Sequence, residues 1–383
     1  MNRDVKVSVL MLAYNQQQYV NEAIRSVVLQ ETDFDYELII GDDGSSDATA
    51  ERCREWQQRY PDRIRLLDHS DNVGLARNFV RTYREATGRY IAICEADDFW
   101  TDRHKLQIQA DFLDSHPEYA MCFHRVVNYY EANGTKSLSN GGQRHEMTIN
   151  DIALCNPITN VSVCYRRGVF GELPEWMDRV TSYDLVMHLL TLQYGKVYYM
   201  HRVMAVYRKL ATSIWTGGDK ARRAEISRKN RDLLIGYFAD RNPEVCDILR
   251  RANALNCIDM ANSMDDCGKH AEAGTYLQMV SQYKSDWSPA EIYRYRHNMV
   301  KSQRPRPMRR LLTACRAFVS KFIPDLIRPV VPYIIFYIAI STTADQFLCH
   351  IAISRGHHTS KLWVVQNKHY ARKVLNPVFD NIH

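Results

Sequence analysis

Between Val5 and Cys94 the sequence changes period repeatedly, and this alternation constrains the fold more than any other feature. Residues 5–12, 36–41, 63–67 and 89–94 are short, apolar, β-rich runs. Between the first two, Val20, Ala23, Ile24, Val27 and Val28 recur at helical spacing. Between the second and third, Ser45, Ser46 and Asp47 are N-cap candidates for a helix that runs to Arg59 and stops before Pro61. Leu75, Ala76, Phe79, Val80 and Tyr83 mark a third helix, ending near Gly88. Strands and helices alternating at this spacing predict an α/β fold, a parallel sheet covered by helices on both faces.

The rest of the chain is less regular. The pattern predicts a helix over 102–114, a strand or strand pair over 120–130, a loop over the Gly/Asn/Ser-rich 131–145, β structure at 158–165, a helix over 181–194 and β structure again at 196–207. From about 219 to 303 glycine is scarce and the pattern is helical, with 252–264 and 269–280 forming one helical hairpin. Three parts are expected: a sheet domain over 1–218, a helical domain over 219–303 and a basic, apolar tail over 304–383. The chain has 383 residues, 45% hydrophobic and 25% charged, with a formal net charge of +6. That composition excludes wholesale disorder and collagen. With no apolar run near ~18 residues, a polytopic membrane protein is excluded too. The N-terminus enters a strand pattern directly, without a basic segment followed by an apolar one, so no signal peptide is expected. Ten cysteines without a C-x-x-C pair fit reduced, cytosolic usage rather than a disulfide framework or zinc site. His357-His358 reads as a solvated pair.

Two acidic clusters sit where strands end. Asp42-Asp43-Gly44-Ser45-Ser46-Asp47 follows one apolar run, and Glu95-Ala96-Asp97-Asp98 follows another. In open α/β sheets ligands bind beyond the carboxyl ends of the strands. Carboxylates there can accept hydrogen bonds from a base or ribose. Three acids within four residues repel one another, and a hard divalent cation, its shell completed by a nucleotide diphosphate, relieves the repulsion. Taken alone, the first cluster is equally a helix-capping turn with solvated aspartates, and the second an exposed acidic turn. Two such strand ends in one layer favour the ligand site. No G-x-G-x-x-G follows the first strand, which argues against a dinucleotide fold.

Four stretches carry a resemblance: Val7-Ser-Val-Leu-Met-Leu-Ala-Tyr-Asn15, Tyr36-Glu-Leu-Ile-Ile-Gly-Asp-Asp-Gly-Ser-Ser-Asp47, Asn72-Val-Gly-Leu-Ala-Arg-Asn78 and Glu95-Ala-Asp-Asp-Phe-Trp100. In order and spacing, residues 6–105 resemble the nucleotide-binding half of a family 2 glycosyltransferase with the GT-A fold, a Rossmann-like, mixed but mainly parallel sheet. The resemblance implies an inverting transferase that uses a nucleotide-sugar donor and a divalent cation, Mn2+ or Mg2+. Ala13 and Tyr14 would then line a uracil pocket, and Asp43 or Asp42 would bind the base edge. Arg77 would lie near the nucleotide, Asp97 would touch ribose or metal, and Asp98 would hold the metal. The family's D-x-D signature begins here with Glu95, so which two acids hold the ion stays open.

Inverting transfer needs a base on the acceptor hydroxyl. Between Arg179 and Gly218 there is one acid, Asp184, in Thr-Ser-Tyr-Asp-Leu. The family places its base in this second segment, so Asp184 is the expected base, with Asp178 the alternative. Residues 205–215 resemble the family segment Y-R-x-H-x-x-S, with Leu210 where the histidine is expected. Arg208 or Lys209 would contact the diphosphate in its place, while Tyr207 and Trp215 are equally readable as core aromatics.

Residues 301–328 hold eight basic residues and one acid, and residues 329–340 form a 12-residue apolar run with two prolines. The run is too short to span a bilayer, and the charge suits an anionic membrane surface. Packing on the catalytic domain or a homodimer contact is the alternative, and nucleic acid is not expected. The expected protein is a transferase acting on a glycan or lipid-linked acceptor in cell-surface polysaccharide synthesis, peripheral on the cytoplasmic membrane face. The rival reading is a catalytically silent module of the same fold that binds or scaffolds a partner.

Overall fold

The computed structural model describes residues 4–139, 141–211, 220–303, 336–343, 346–355 and 358–366. By internal contacts the chain divides into two compact units, Met1–Lys301 and Ser302–His383.

The first unit opens with β1 (Val5–Ala13), α1 (Val20–Val28), β2 (Asp35–Asp42), α2 (Thr49–Arg59), β3 (Ile64–Asp68), α3 (Leu75–Arg84) and β4 (Tyr90–Ile93). It continues through β5 (Phe99–Trp100), α4 (Lys105–Ser115), β6 (Tyr119–Tyr130), β7 (Thr135–Leu138), β8 (Glu146–Met147), α5 (Ile149–Leu154), β9 (Cys164–Arg166), α6 (Asp184–Leu192) and β10 (Lys196–Lys209). Four helices follow: α7 (Lys220–Phe238), α8 (Pro243–Asp266), α9 (His270–Tyr283) and α10 (Pro289–Gln303).

One mixed sheet runs β3-β2-β1-β4-β9-β6-β10-β5, with β7 on β6 and β8 on β10. The pairs β1·β2, β1·β4, β2·β3 and β6·β10 are parallel, and β9 enters antiparallel between β4 and β6. Strands β1, β2 and β4 are buried on both faces over most of their length, which is why they read as apolar runs. On β1, Val7, Val9 and Met11 join one core with Ile24 and Val27 of α1 and Leu106 of α4. Leu10 and Leu12 point the other way, into a core with Phe79 of α3, Leu189 of α6 and Leu234 and Phe238 of α7. Each such side chain contributes about 1.5–3 kcal/mol by leaving water. Gly41 of β2 permits close approach of α3, because a Cβ there would collide with Thr82 Oγ1 and Asn78 Oδ1. Asn78 Nδ2 donates to the Gly41 carbonyl at 2.8 Å across that contact.

Three local expectations change. Helix α2 begins at Thr49, with Ala48 at its N-cap position, because Ser45 and Ser46 are engaged by the strand-end loops. Asp47 still serves the helix start by accepting from Thr49 N at 2.9 Å. The predicted loop 131–145 contains β7, a short exposed strand hydrogen-bonded to β6. The 158–165 stretch divides into a 3-10 turn over Asn160–Ser162 and β9. The predicted helical hairpin is α8 and α9, and its inner face holds Ala254, Cys257, Ile258 and Val280.

In the second unit, β11 (Phe336–Thr343), β12 (Gln346–Arg355) and β13 (His358–Gln366) form an antiparallel sheet in that order. The end of the apolar run at 329–340 is therefore strand. The basic stretch 304–328, the start of the apolar run, Trp215 and His357 lie outside the described residues. Among the described residues no helix is long and apolar enough to cross a membrane.

Candidate active site

Because β1, β2 and β4 are parallel, their carboxyl ends share one edge, with Ala13 opposite Asp42 and Leu10 opposite Ile93. The loops that leave this edge are tied to one another. Asn15, at φ 53°, donates its N–H to Ser45 Oγ at 3.0 Å, and its Oδ1 accepts from Ser46 N at 2.9 Å. Asp42 is buried and accepts from Ser45 N at 3.0 Å and Ser45 Oγ at 2.6 Å. Asp43 donates its N–H to the Ala13 carbonyl at 3.0 Å. Its two carboxylate oxygens accept from Val73 N and Gly74 N, each at 2.9 Å. Gly74 has φ 88°, a conformation open to glycine, and it starts α3. Both expected base-edge carboxylates thus brace the loops that shape the edge. Ala13 is buried beneath it, and Tyr14 stands 47% exposed at its mouth.

Glu95, Asp97 and Asp98 follow β4. One ligand oxygen from each lies within 4.8 Å of the others. Asp98 is 1% exposed; its Oδ1 accepts from Arg208 N at 2.8 Å, while its Oδ2 is buried without a hydrogen-bond partner. Burial pushes the Glu95 carboxyl up to about 7, and the Asp97 charge adds to the shift. Burial likewise raises Asp97 to about 6, and raises Asp98 well above the carboxylate range with help from Asp97 and Glu95. Three crowded carboxylates with an orphaned oxygen fit the all-oxygen shell of Mg2+ or Mn2+. The structure brings Glu95 into this set beside Asp97 and Asp98.

Arg208 reaches the same place from β10 but faces inward. Its Nη1 donates to the Asp97 carbonyl at 2.7 Å, its Nη2 pairs with Glu22 of α1, and its guanidinium lies over Phe99 at 4.6 Å and Tyr19 at 5.0 Å. In this arrangement it clamps the acidic loop to α1.

The acceptor-side candidates sit on the segment entering α6. Asp184 is the first residue of that helix and accepts from Ser182 Oγ. Its charge contributes to the rise at Glu95. Tyr183 reaches from this segment to Glu95, and its hydroxyl donates to Glu95 Oε1 at 2.7 Å. One turn into α6, His188 is buried with neither ring nitrogen hydrogen-bonded, and burial pushes it down to about 4. Asp178 lies on the 3-10 turn Glu175–Arg179 and pairs with Arg77 of α3 at 3.6 Å, both side chains being exposed. Sequence reasoning missed Tyr183, Asn160 and Glu22 as parts of this site. Their partners lie 88, 65 and 186 residues away, and no local pattern marks such contacts.

A mainly parallel sheet with helices on both faces, and acids gathered where the strands end, is the arrangement of the GT-A fold. Residues 8–173 match the sequence model of Glycosyl transferase family 2. An uncharacterized protein of Mycobacterium tuberculosis is 35% identical over 219 residues, 57% of this chain and 62% of the relative's own length. The Bacillus subtilis protein named "Putative teichuronic acid biosynthesis glycosyltransferase TuaG" is 29% identical over 217 residues, 56% of this chain and 83% of that one. Among solved structures, the mannosyltransferase PcManGT of Pyrobaculum calidifontis, in complex with GDP-Man and Mn2+, shares the fold. Its TM-score is 0.50 at 16% identity, covering 86% of this chain and 92% of that one.

Proposed function

We propose that this protein is a glycosyltransferase that moves a sugar from a nucleotide diphosphate donor, a UDP-sugar, to a glycan or lipid-linked acceptor in cell-surface polysaccharide synthesis. The observation that carries the reading is the orphaned Asp98 Oδ2 beside Glu95 and Asp97, at the edge where β1, β2 and β4 end. The named relatives and the family match support it.

In this reading Tyr14 stacks on the base and Ala13 floors its pocket. Asp42 and Asp43 hold the loops around it, and Asp43 or Asp42 reads the base edge with remaining acceptor capacity. Glu95, Asp97 and Asp98 would hold Mn2+ or Mg2+, which when bound neutralises charge growing on the leaving diphosphate. Arg208 orients the acidic loop through the Asp97 carbonyl. Asp184 takes the acceptor hydroxyl's proton as that oxygen attacks the anomeric carbon, giving inversion by single displacement. Arg77 lies near the nucleotide, where its planar cation suits phosphate.

Residues 1–218 carry the chemistry, 219–303 support the acceptor side, and the basic tail holds the enzyme on the cytoplasmic membrane face without crossing it. Such an enzyme sediments with membranes at low salt and is released by high salt. The deciding experiment incubates the protein with UDP- and GDP-sugars and Mn2+ or Mg2+ and follows release of nucleotide diphosphate. Cation-dependent release from one donor, lost in Asp98→Asn, supports the reading. No release from any donor, with no nucleotide binding, favours a silent scaffold.

A further inference from the structure

The Glu95 carboxylate is held from outside the acidic loop. Asn160 Nδ2, in the 3-10 turn before β9, donates to Glu95 Oε1 at 3.0 Å and to the Tyr183 hydroxyl at 2.7 Å. That hydroxyl donates its own hydrogen bond to the same Oε1 at 2.7 Å. The donors and acceptors form a closed triangle. It fixes one oxygen of Glu95 and leaves the other for the acidic cluster.

Tyr183 itself cannot move freely. It is 2% exposed, and its ring stacks on Phe79 of α3 with centroids 3.9 Å apart and planes 12° from parallel. The residues before it are also held. Asn230 of α7 accepts from Thr181 N at 3.1 Å and donates to the Ser182 carbonyl at 2.7 Å. The next residue is Asp184. A side chain rooted in the donor-side core therefore sits one peptide bond from the acceptor-side carboxylate.

We propose that Tyr183 is a positioning residue joining the two sides of the site: with Asn160 it orients Glu95 for a cation, and through the backbone it sets where Asp184 stands. The inference rests on the glycosyltransferase reading above and adds to it the group that couples cation binding to the base. Residues that hydrogen-bond a metal-ligating side chain orient it, and losing one typically costs 10–100-fold in affinity or activity.

The test uses the full-length protein and Tyr183→Phe, which keeps the ring on Phe79 and removes only the hydroxyl. Mn2+ alone is titrated into the donor-free protein by calorimetry, and turnover of the active donor is then measured at saturating Mn2+. The expected result is Mn2+ affinity about tenfold weaker, with kcat still reduced at saturating Mn2+ and donor KM close to that of wild type. Asn160→Ala should weaken Mn2+ in the same direction, and it carries the titration if Tyr183→Phe fails to fold. Wild-type Mn2+ affinity in both variants overturns the cation half, and wild-type kcat at saturating Mn2+ overturns the coupling half. Failure of the wild-type protein to bind Mn2+ either alone or with UDP present overturns the cation reading itself, and this inference with it.

Discussion

The donor edge and the acceptor-side segment of the site are held in different ways. At the donor edge the loops after β1 and β2 brace one another through side chains of the loops themselves: Asn15, Ser45, Asp42 and Asp43. The residues that make the edge are close in sequence to the strands that present it. Across the cleft, Thr181–Asp184 lies between the 3-10 turn Glu175–Arg179 and the start of α6. It is pinned by Asn230 of α7, by the ring of Phe79 and by Glu95. The first arrangement is local and motif-like, whereas the second is assembled from distant parts of the chain. Substitutions at the donor edge should therefore act first on binding of donor and cation, and Asp184 across the cleft on turnover, with Tyr183 acting on both.

The largest effect is expected at the cation cluster. Asp98→Asn keeps the shape and the bond from Arg208 N but removes a charge from a buried oxygen set. Several kcal/mol of charge stabilisation go with a catalytic cation, so turnover should fall about 10³-fold or more, together with Mn2+-dependent binding of UDP. UDP binding with unchanged Mn2+ dependence would break the donor-edge half of the comparison. The isosteric change is the better probe: Asp98 is buried, and alanine there would leave Arg208 N without its acceptor.

Next in size is Asp184→Asn. Donor and Mn2+ binding should stay near wild type while kcat falls by ~10²–10⁴, the usual worth of a positioned general base. Asp178→Asn supplies the contrast. Its ion pair with Arg77 is exposed on both sides, and such pairs are worth 0–1 kcal/mol, so its effect should stay below about fivefold. If the two variants exchanged these outcomes, the base would be Asp178.

A smaller effect concerns pH. Glu95 and Asp97 are raised to about 7 and about 6 in the fold, chiefly by burial. Unfolded, they titrate near the ordinary carboxylate values, so between about pH 4 and 7 the folded state binds more protons. These two groups therefore remove stability from the cation-free protein as pH rises through that window. A cation competes with the same protons, so its stabilisation grows with pH. Melting temperatures in EDTA and in Mn2+ should diverge from pH 5 to pH 8. Parallel curves would show that the cluster does not take the cation.

The same contrast explains what was legible in the sequence. Strands β1, β2 and β4 announce themselves as apolar runs because both faces of the sheet are buried there. The acids at their ends are noticed because charge seldom follows such runs without a reason. Strand β9 has three residues and β7 is exposed on every side chain, so neither shows a period. Arg208 and Lys209 are the diphosphate candidates in sequence; that Arg208 also meets Glu22, on α1, carries no sign in sequence. Tyr183 and Asn160 look like ordinary polar residues until the fold brings them to Glu95.

Lys105 is the sharpest case of a residue whose context the sequence conceals, and its expected effect is the smallest. In a helical pattern it reads as one more solvated lysine. In the fold it is fully buried, with Nζ bonded to Gln109 Oε1 at 2.6 Å and 4.1 Å from the centroid of the Trp100 ring. Burial lowers its pKa from 10.5 to about 8. Between those values the unfolded chain keeps the proton and the folded chain releases it, so this group adds stability as pH rises from 8 to 10.5. The buried thiols of Cys94, Cys122 and Cys164, all pushed up by burial, act in the opposite direction on the alkaline side. The lysine must therefore be isolated by difference. Lys105→Met is close in length and removes the charge, at the cost of the donor to Gln109. Near pH 7 the variant should be as stable as wild type or up to about 2 kcal/mol more stable, since apolar replacement of buried charge is often neutral or favourable. Urea unfolding of both proteins from pH 7 to 10.5 should show any advantage of the variant shrinking above pH 8. A stability difference that stays constant with pH would mean that Lys105 reaches water and that the donor-side core is wetter than its burial implies.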